Sequence, residues 1–208
     1  MQSIAIVGIH TGIGKTIASA IVAEALQADY WKPVQAGNAE ATDTMEVKRL
    51  LSNPVSTCYK EAYFLKEAIS PHATAEKEGI QIEIEKINLP NPRRQTIVET
   101  AGGLLSPITP VKTNLDILLH LRLPVILVSK NYLGSINHTM LTFDVLNKNH
   151  LEIKGIIFNG PENPASENFI LSNTGLTRLL SIKEEVLFDR EKVKHYASHF
   201  PLKYFATP

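Results

Sequence analysis

Short, almost unbroken apolar runs alternate along this chain with longer stretches whose apolar positions recur every three or four residues. The first run, Ile4-Ala5-Ile6-Val7, is followed by Ile17, Ile21, Val22 and Ala25. The first spacing predicts a strand and the second a helix. Asp29 to Val34 predicts the next strand, and Thr42 opens a helix carrying Met45, Val47, Leu50 and Leu51. Further strands are expected at Thr96-Ile97-Val98-Glu99, Val125-Ile126-Leu127-Val128 and Gly155-Ile156-Ile157-Phe158-Asn159. Helices are expected at 115–123 (ended by Pro124), at 136–146 and around 191–197. Strands apolar on both faces and alternating with helices mean a parallel sheet covered on both sides. One segment is ambivalent: Ile80, Ile82 and Ile84 alternate as in a strand, whereas Glu83, Glu85 and Lys86 suit a helix surface.

Between the first strand and the first helix lies Gly8-Ile9-His10-Thr11-Gly12-Ile13-Gly14-Lys15-Thr16. A glycine-rich loop in this setting cradles phosphates on backbone N–H groups. The helix N-terminus adds partial positive charge, Lys15 adds a full one, and the Thr16 hydroxyl suits Mg²⁺. Five residues separate Gly8 from Gly14, where the usual pattern has four, so Gly8 also reads as the glycine that ends the strand. The expected fold class is α/β: a phosphate-loop NTPase-like, mostly parallel sheet with helices on both faces, in a single domain over residues 1–208.

Composition narrows the partners. The 208 residues carry 21 basic and 21 acidic side chains, so no net charge argues for nucleic acid or an anionic membrane surface. There is neither an apolar run of about 18 residues nor a charged-then-apolar leader, and a cytoplasmic protein is expected. Cys58 is the single cysteine, which excludes an intrachain disulfide, and the seven histidines show no two-ligand helical spacing.

The predicted strand ends carry the remaining chemistry, and in such sheets ligands gather there. Lys32 closes the second strand, where a lysine in an apolar run calls for an anionic partner or a solvated end. Asp43 suits either the first turn of a helix or a Mg²⁺ shell. Glu99, before Ala101-Gly102-Gly103, suits either a surface strand end or the same metal shell. Gly134-Ser135-Ile136-Asn137-His138 opens a helix whose free N–H groups suit a carboxylate or phosphate, or simply a Ser135 cap.

Taken in order, these pieces resemble the dethiobiotin synthetases, a family of biotin-pathway enzymes, from about Ser3 to Gly160. The loop from Gly8 to Thr16 is similar to the family's own variant, including its five-residue gap. Trp31-Lys32-Pro33-Val34-Gln35-Ala36-Gly37, with Asp43 downstream, resembles its Lys-Pro-Val stretch. Ser70-Pro71-His72 and Glu99-Thr100-Ala101-Gly102-Gly103 resemble two further motifs, and the segment Leu133 to Thr142 is the nearest match of all.

The resemblance implies ATP- and Mg²⁺-dependent closure of a ureido ring on 7,8-diaminononanoate with CO₂. It implies catalytic roles for Thr11, Lys15 and Lys32, and a metal held by Thr16, Asp43 and Glu99. Nucleotide contacts follow at Gly12, Ile13, Gly14, Lys15, Thr16 and Ile17, with Asn159 reading the adenine ring. Substrate contacts follow at Thr11, Lys32, Ala36, Ser70 and Pro71, and at Gly134, Ser135, Ile136 and Asn137 of the partner subunit in a homodimer. The sequence departs from the family at Ile9 and His10 (usually Thr and Asp), at Ala36 (commonly a hydroxyl residue) and at Thr100 (usually Gly). A switch ATPase or a nucleotide-binding paralogue without turnover is the alternative. Against the switch, residues 9 to 13 contain no early signature lysine.

Overall fold

The computed structural model describes residues 2–37 and 39–205, so the outermost ends of the expected domain lie outside the described residues. Along the chain come β1 (Ile4–Gly8), α1 (Lys15–Leu26), β2 (Asp29–Trp31), β3 (Val34–Ala36), α2 (Asp43–Leu50), β4 (Cys58–Tyr59), β5 (Tyr63–Leu65) and α3 (Pro71–Glu78). After a 3₁₀ turn at Ile84–Lys86 follow β6 (Thr96–Gly103), α4 (Asn114–Leu121), β7 (Val125–Lys130) and α5 (Ser135–Lys148). The chain continues through β8 (Ile153–Asn159), α6 (Pro164–Thr174), β9 (Arg178–Ile182) and α7 (Arg190–Ser198).

Seven strands form one parallel sheet in the order β4-β2-β6-β1-β7-β8-β9. From β1 the chain crosses through α1 to β2 on one side, whereas the connections through α4, α5 and α6 step the other way. Right-handed crossovers therefore put α1 on one face and α4, α5 and α6 on the other. α7 and α2 pack beside α1. With both faces covered, all five β1 residues are buried, as are Val125 to Val128 of β7. Each fully buried Ile or Leu there contributes about 1.5–3 kcal/mol. The order reverses at β1, and that reversal opens a crevice at the carboxyl ends of the central strands.

Three local expectations change. The strand expected over Asp29 to Val34 is two strands, because Pro33 has no N–H for a ladder and the chain turns there. β2 stays in the main sheet, β3 pairs with β5 in a separate two-stranded sheet, and Lys32 is left between them. The helix expected over 115–123 ends at Leu121, with Arg122 in a left-handed conformation before Pro124. The ambivalent isoleucines form neither strand nor α-helix: Ile82 and Ile84 are buried, and Ile84 begins the 3₁₀ turn. No helix among the described residues is long and apolar enough to cross a membrane.

Candidate active site

The loop between β1 and α1 wraps the carboxyl end of the central strand, and its geometry settles the part played by Gly8. A Cβ on Gly8 would lie 2.9 Å from both Ile13 Cδ1 and Lys15 Cδ, so the lysine stem passes directly over a residue that must lack a side chain. Gly8 thus ends the strand and makes room for Lys15 at once. Gly14, left-handed at φ 88°, caps α1, and a Cβ there would fall 2.1 Å from Asn159 Nδ2. That amide donates to the Ile13 carbonyl at 2.7 Å, tying the end of β8 to the loop. Asn159 therefore spends one of its two N–H donors on the protein.

Lys15 is 6 % exposed and its Nζ donates to the His10 carbonyl at 3.2 Å. Burial pushes its pKa down to about 8; the neighbouring Lys32 charge adds to this, while Glu99 and Asp43 oppose it. An incoming phosphate would supply the missing counter-charge.

The first turns of α1 and α2, the residue that follows β2, and the middle of β6, which runs on past the strand end expected at Glu99, bring the polar cluster together. Thr16 Oγ1, on the first turn of α1, lies 2.6 Å from Asp43 Oδ1 and 3.0 Å from Glu99 Oε1. Lys32 Nζ, at the end of β2, donates to Asp43 Oδ2 and lies 3.4 Å from Glu99 Oε1. Burial alone would lower the Lys32 ammonium, but the Glu99 and Asp43 carboxylates outweigh it and hold the pKa above its ordinary value. The same ion pair and the Thr16 hydroxyl hold Asp43 below its ordinary value against the effect of burial. Thr42 is the cap of α2, accepting from Met45 N at 3.2 Å, so the Asp43 side chain is free for the cluster. Thr16, Asp43 and Glu99 are all hard oxygen donors converging on one place, a set whose chemistry suits Mg²⁺.

Sequence patterning missed Tyr30. It is fully buried in β2 and donates to Glu99 Oε2 at 2.9 Å. The signal was present, since a phenol in a central strand needs a partner for its hydroxyl. Thr100, a departure from the resembled motif, is buried in β6 and donates to the Ile6 carbonyl at 3.1 Å.

A cavity of about 490 Å³ opens beside this cluster, lined by Thr11, Lys32, Gln35, Ala36, Ser70 and Pro71 among others. Ser70 caps α3 by its backbone and Pro71 begins that helix. A second cavity of about 540 Å³ shares Thr11, Ser106 and Pro107 with the first and runs over apolar side chains including Leu104, Leu141 and Val145. His10 and His138 flank it, and the His138 ring is 2.7 Å from the Tyr132 hydroxyl.

The first turn of α5 lies apart. Its cap is Gly134, with φ 96°, and Ser135 is the first helical residue rather than the cap. Ser135 donates its N–H to the Tyr132 carbonyl at 2.9 Å and accepts from Tyr132 N, so the open N–H groups of this turn are those of Ile136 and Asn137. Gly134, Ile136 and Asn137 line a separate cavity of about 710 Å³, and Lys32 is not among its lining residues. Ile13 is buried inside the loop and Ile17 is half-buried on the second turn's approach in α1.

A family model described as an AAA domain matches residues 2–192. The chain is similar to the ATP-dependent dethiobiotin synthetase BioD of Cytophaga hutchinsonii, at 46% identity over 95% of this chain and 96% of that one. It is similar to the enzyme of the same name from Christiangramia forsetii, at 45% identity over 96% of each chain. Among solved structures it resembles a ParA family ATPase from Chlorobium tepidum, with a TM-score of 0.60 at 14% identity over 96% of this chain and 100% of that one. The cell division ATPase MinD of Pyrococcus furiosus aligns with a TM-score of 0.56 at 15% identity, over 99% and 100% of the two chains. The two solved structures share the fold, a phosphate-loop sheet with helices on both faces.

Proposed function

This chain belongs to the ATP-dependent dethiobiotin synthetase family of C–N-forming ligases, and we propose that it closes the ureido ring of dethiobiotin from 7,8-diaminononanoate, CO₂ and ATP. One amine adds CO₂ to give a carbamate and a proton. A carbamate oxygen attacks the γ-phosphorus of ATP, the bond to the β-phosphate oxygen breaks, and ADP leaves. The second amine attacks the carbonyl carbon of the mixed anhydride, phosphate departs, and the loss of a proton leaves the cyclic urea.

The observation that carries this reading is the position of Lys32. It stands on the wall of the 490 Å³ cavity and beside the Thr16–Asp43–Glu99 cluster at once. A carbamate and a γ-phosphate are both anions, and cations must stand between and around them as they meet. Lys15 supplies that charge from the loop side and Lys32 from the cavity side. Thr11, which lines both cavities, orients the carbamate, an effect worth more than acid–base work here. Thr16, Asp43 and Glu99 would hold Mg²⁺, which would supply positive charge against the phosphates there. The loop N–H groups from Gly12 to Ile17 hold the phosphates, and Asn159 Oδ1 accepts from the adenine amino group.

The site is proposed to be completed across a homodimer in the cytoplasm. In one chain the first turn of α5 does not reach the Lys32 cavity. The apolar cavity beside α5 also opens at Leu105 and Leu141, which are 54% and 56% exposed. A partner subunit's α5 would bring its N-terminal N–H groups to the substrate carboxylate.

Phosphate release from ATP and Mg²⁺ with bicarbonate, with and without the diamine, tests the reading when the product is followed by mass. Diamine-dependent phosphate with the cyclic urea is expected. Nucleotide binding without that product would leave a phosphate-loop protein of another activity.

A further inference from the structure

Resting on that reading, we propose that Ser106 is a further substrate-binding residue, donating its hydroxyl proton to the carbamate beside Thr11 and replacing the donor that Ala36 lacks. Among the described residues, Thr11, Ser106 and Pro107 are the ones that line both the polar cavity and the apolar one. A diamine with a long aliphatic tail must pass this junction, with its reacting end on the Lys32 side. Of the three, Pro107 has no hydrogen to donate there. The two hydroxyls are the available donors.

Ser106 is held on three sides. Its N–H donates to the Gly103 carbonyl at 3.1 Å, its Oγ accepts from Gly103 N at 2.9 Å, and its carbonyl accepts from Asn114 N at 3.2 Å. Asn114, itself buried, fixes the same turn by donating to the carbonyls of Ala101 and Gly103 at 2.6 and 2.8 Å. One lone pair of the Ser106 hydroxyl is thus engaged, and among the described residues its proton meets no acceptor. A hydroxyl so placed is an oriented donor.

Gly102 stands against that hydroxyl. This residue is left-handed at φ 75°, and a Cβ on it would lie 2.6 Å from Ser106 Oγ and 3.3 Å from Thr11 Oγ1. The bare Gly102 thus leaves room for the Ser106 hydroxyl close to Thr11, and all three residues line the reactive cavity. A carbamate brings two oxygen acceptors and one negative charge to that cavity. Lys32 answers the charge, while Thr11 and Ser106 answer the lone pairs. Ala36 lines the same cavity and offers only a methyl group.

The test measures binding of the diamine by calorimetry, with bicarbonate, Mg²⁺ and a non-hydrolysable ATP analogue present. Ser106→Ala is expected to weaken diamine binding about ten- to a hundredfold, the worth of one hydrogen bond to a charged acceptor. Ser106→Thr should bind the diamine within about twofold of wild type, and the ATP analogue should bind all three proteins alike. Ala36→Ser, added to Ser106→Ala, should recover most of the loss. Unchanged diamine binding in Ser106→Ala would overturn the proposal, as would an equal loss for the nucleotide, which would mark a merely structural turn. A double variant as weak as Ser106→Ala would overturn the compensation between the two positions. A wild-type protein that binds no diamine would overturn the functional reading along with it, so the two failures are distinguishable.

Discussion

Tyr30 donates its hydroxyl to Oε2 of Glu99 across 2.9 Å, and neither side chain is more than 1% exposed. This bond orients the carboxylate. With Oε2 occupied, Oε1 is the oxygen turned to Thr16 and Lys32. The phenol stays protonated, because burial and the adjacent Glu99 and Asp43 charges raise its pKa well above the ordinary value.

Tyr30→Phe removes the one hydrogen-bond donor to Oε2 among the described residues and keeps the ring that fills the core. A buried acceptor left unsatisfied costs about 1–3 kcal/mol, so thermal unfolding should come earlier by that much. The freed carboxylate should also raise the Mg²⁺ concentration needed for nucleotide binding. An unaltered unfolding curve and an unaltered magnesium titration would remove Tyr30 from the support of Glu99.

Lys15→Gln should reduce turnover by at least about 10²-fold, since one preorganised donor at the developing phosphate charge is worth that much. Phosphate release from ATP is the readout. Near-normal release would sink the assignment of the loop.

In Glu99→Gln the charge of the proposed metal shell falls by one while the side-chain shape is kept. The midpoint of the magnesium titration should move up by more than the diamine affinity changes. A titration curve that superimposes on wild type would take Glu99 out of the shell.

Gly14→Ala places a methyl group where Asn159 Nδ2 stands, at 2.1 Å, on a residue with φ 88°. The Asn159–Ile13 bond must open or the loop must shift. Nucleotide affinity is expected to fall while the circular dichroism of the sheet is retained, because Gly14 lies outside the core. Wild-type ATP affinity in a folded variant would show that the tie from β8 to the loop is dispensable.

Asp29 gives a pH prediction away from the site. Burial would raise its carboxyl, but hydrogen bonds from Arg94, Thr57 N and Tyr59 outweigh that and lower the pKa. A folded pKa below the unfolded value of about 3.9 contributes stability above that pH, lost as pH falls through the folded pKa. Asp29→Asn should therefore be less stable at pH 7 and lose less on acidification below about pH 4. Parallel melting-temperature profiles for the two proteins would refute it.

Much of the architecture was legible because a sheet covered on both faces demands continuous apolar strands. Ile4 to Val7, Val125 to Val128 and Gly155 to Asn159 read correctly for that reason. The two- and three-residue strands β3, β4 and β5 are too short to show a period, and α6 and β9 carry weakly patterned residues. Pro33 was visible, yet its consequence was not: nothing local says that Val34 should leave the main sheet for Tyr63.

The sequence by itself determined the phosphate loop, the long central strands with the helices beside them, and which polar residues were candidates for the site. These depend on local spacing and on backbone rules that act within a few residues. Only the tertiary structure decided the partners across the chain: Thr16 with Asp43 and Glu99, Tyr30 with Glu99, Asn159 with Ile13, and Ser106 with Thr11 around Gly102. Each pair joins segments far apart in sequence, and their side chains meet because the strands converge on one crevice. Distances of that kind follow from packing, which no periodicity encodes.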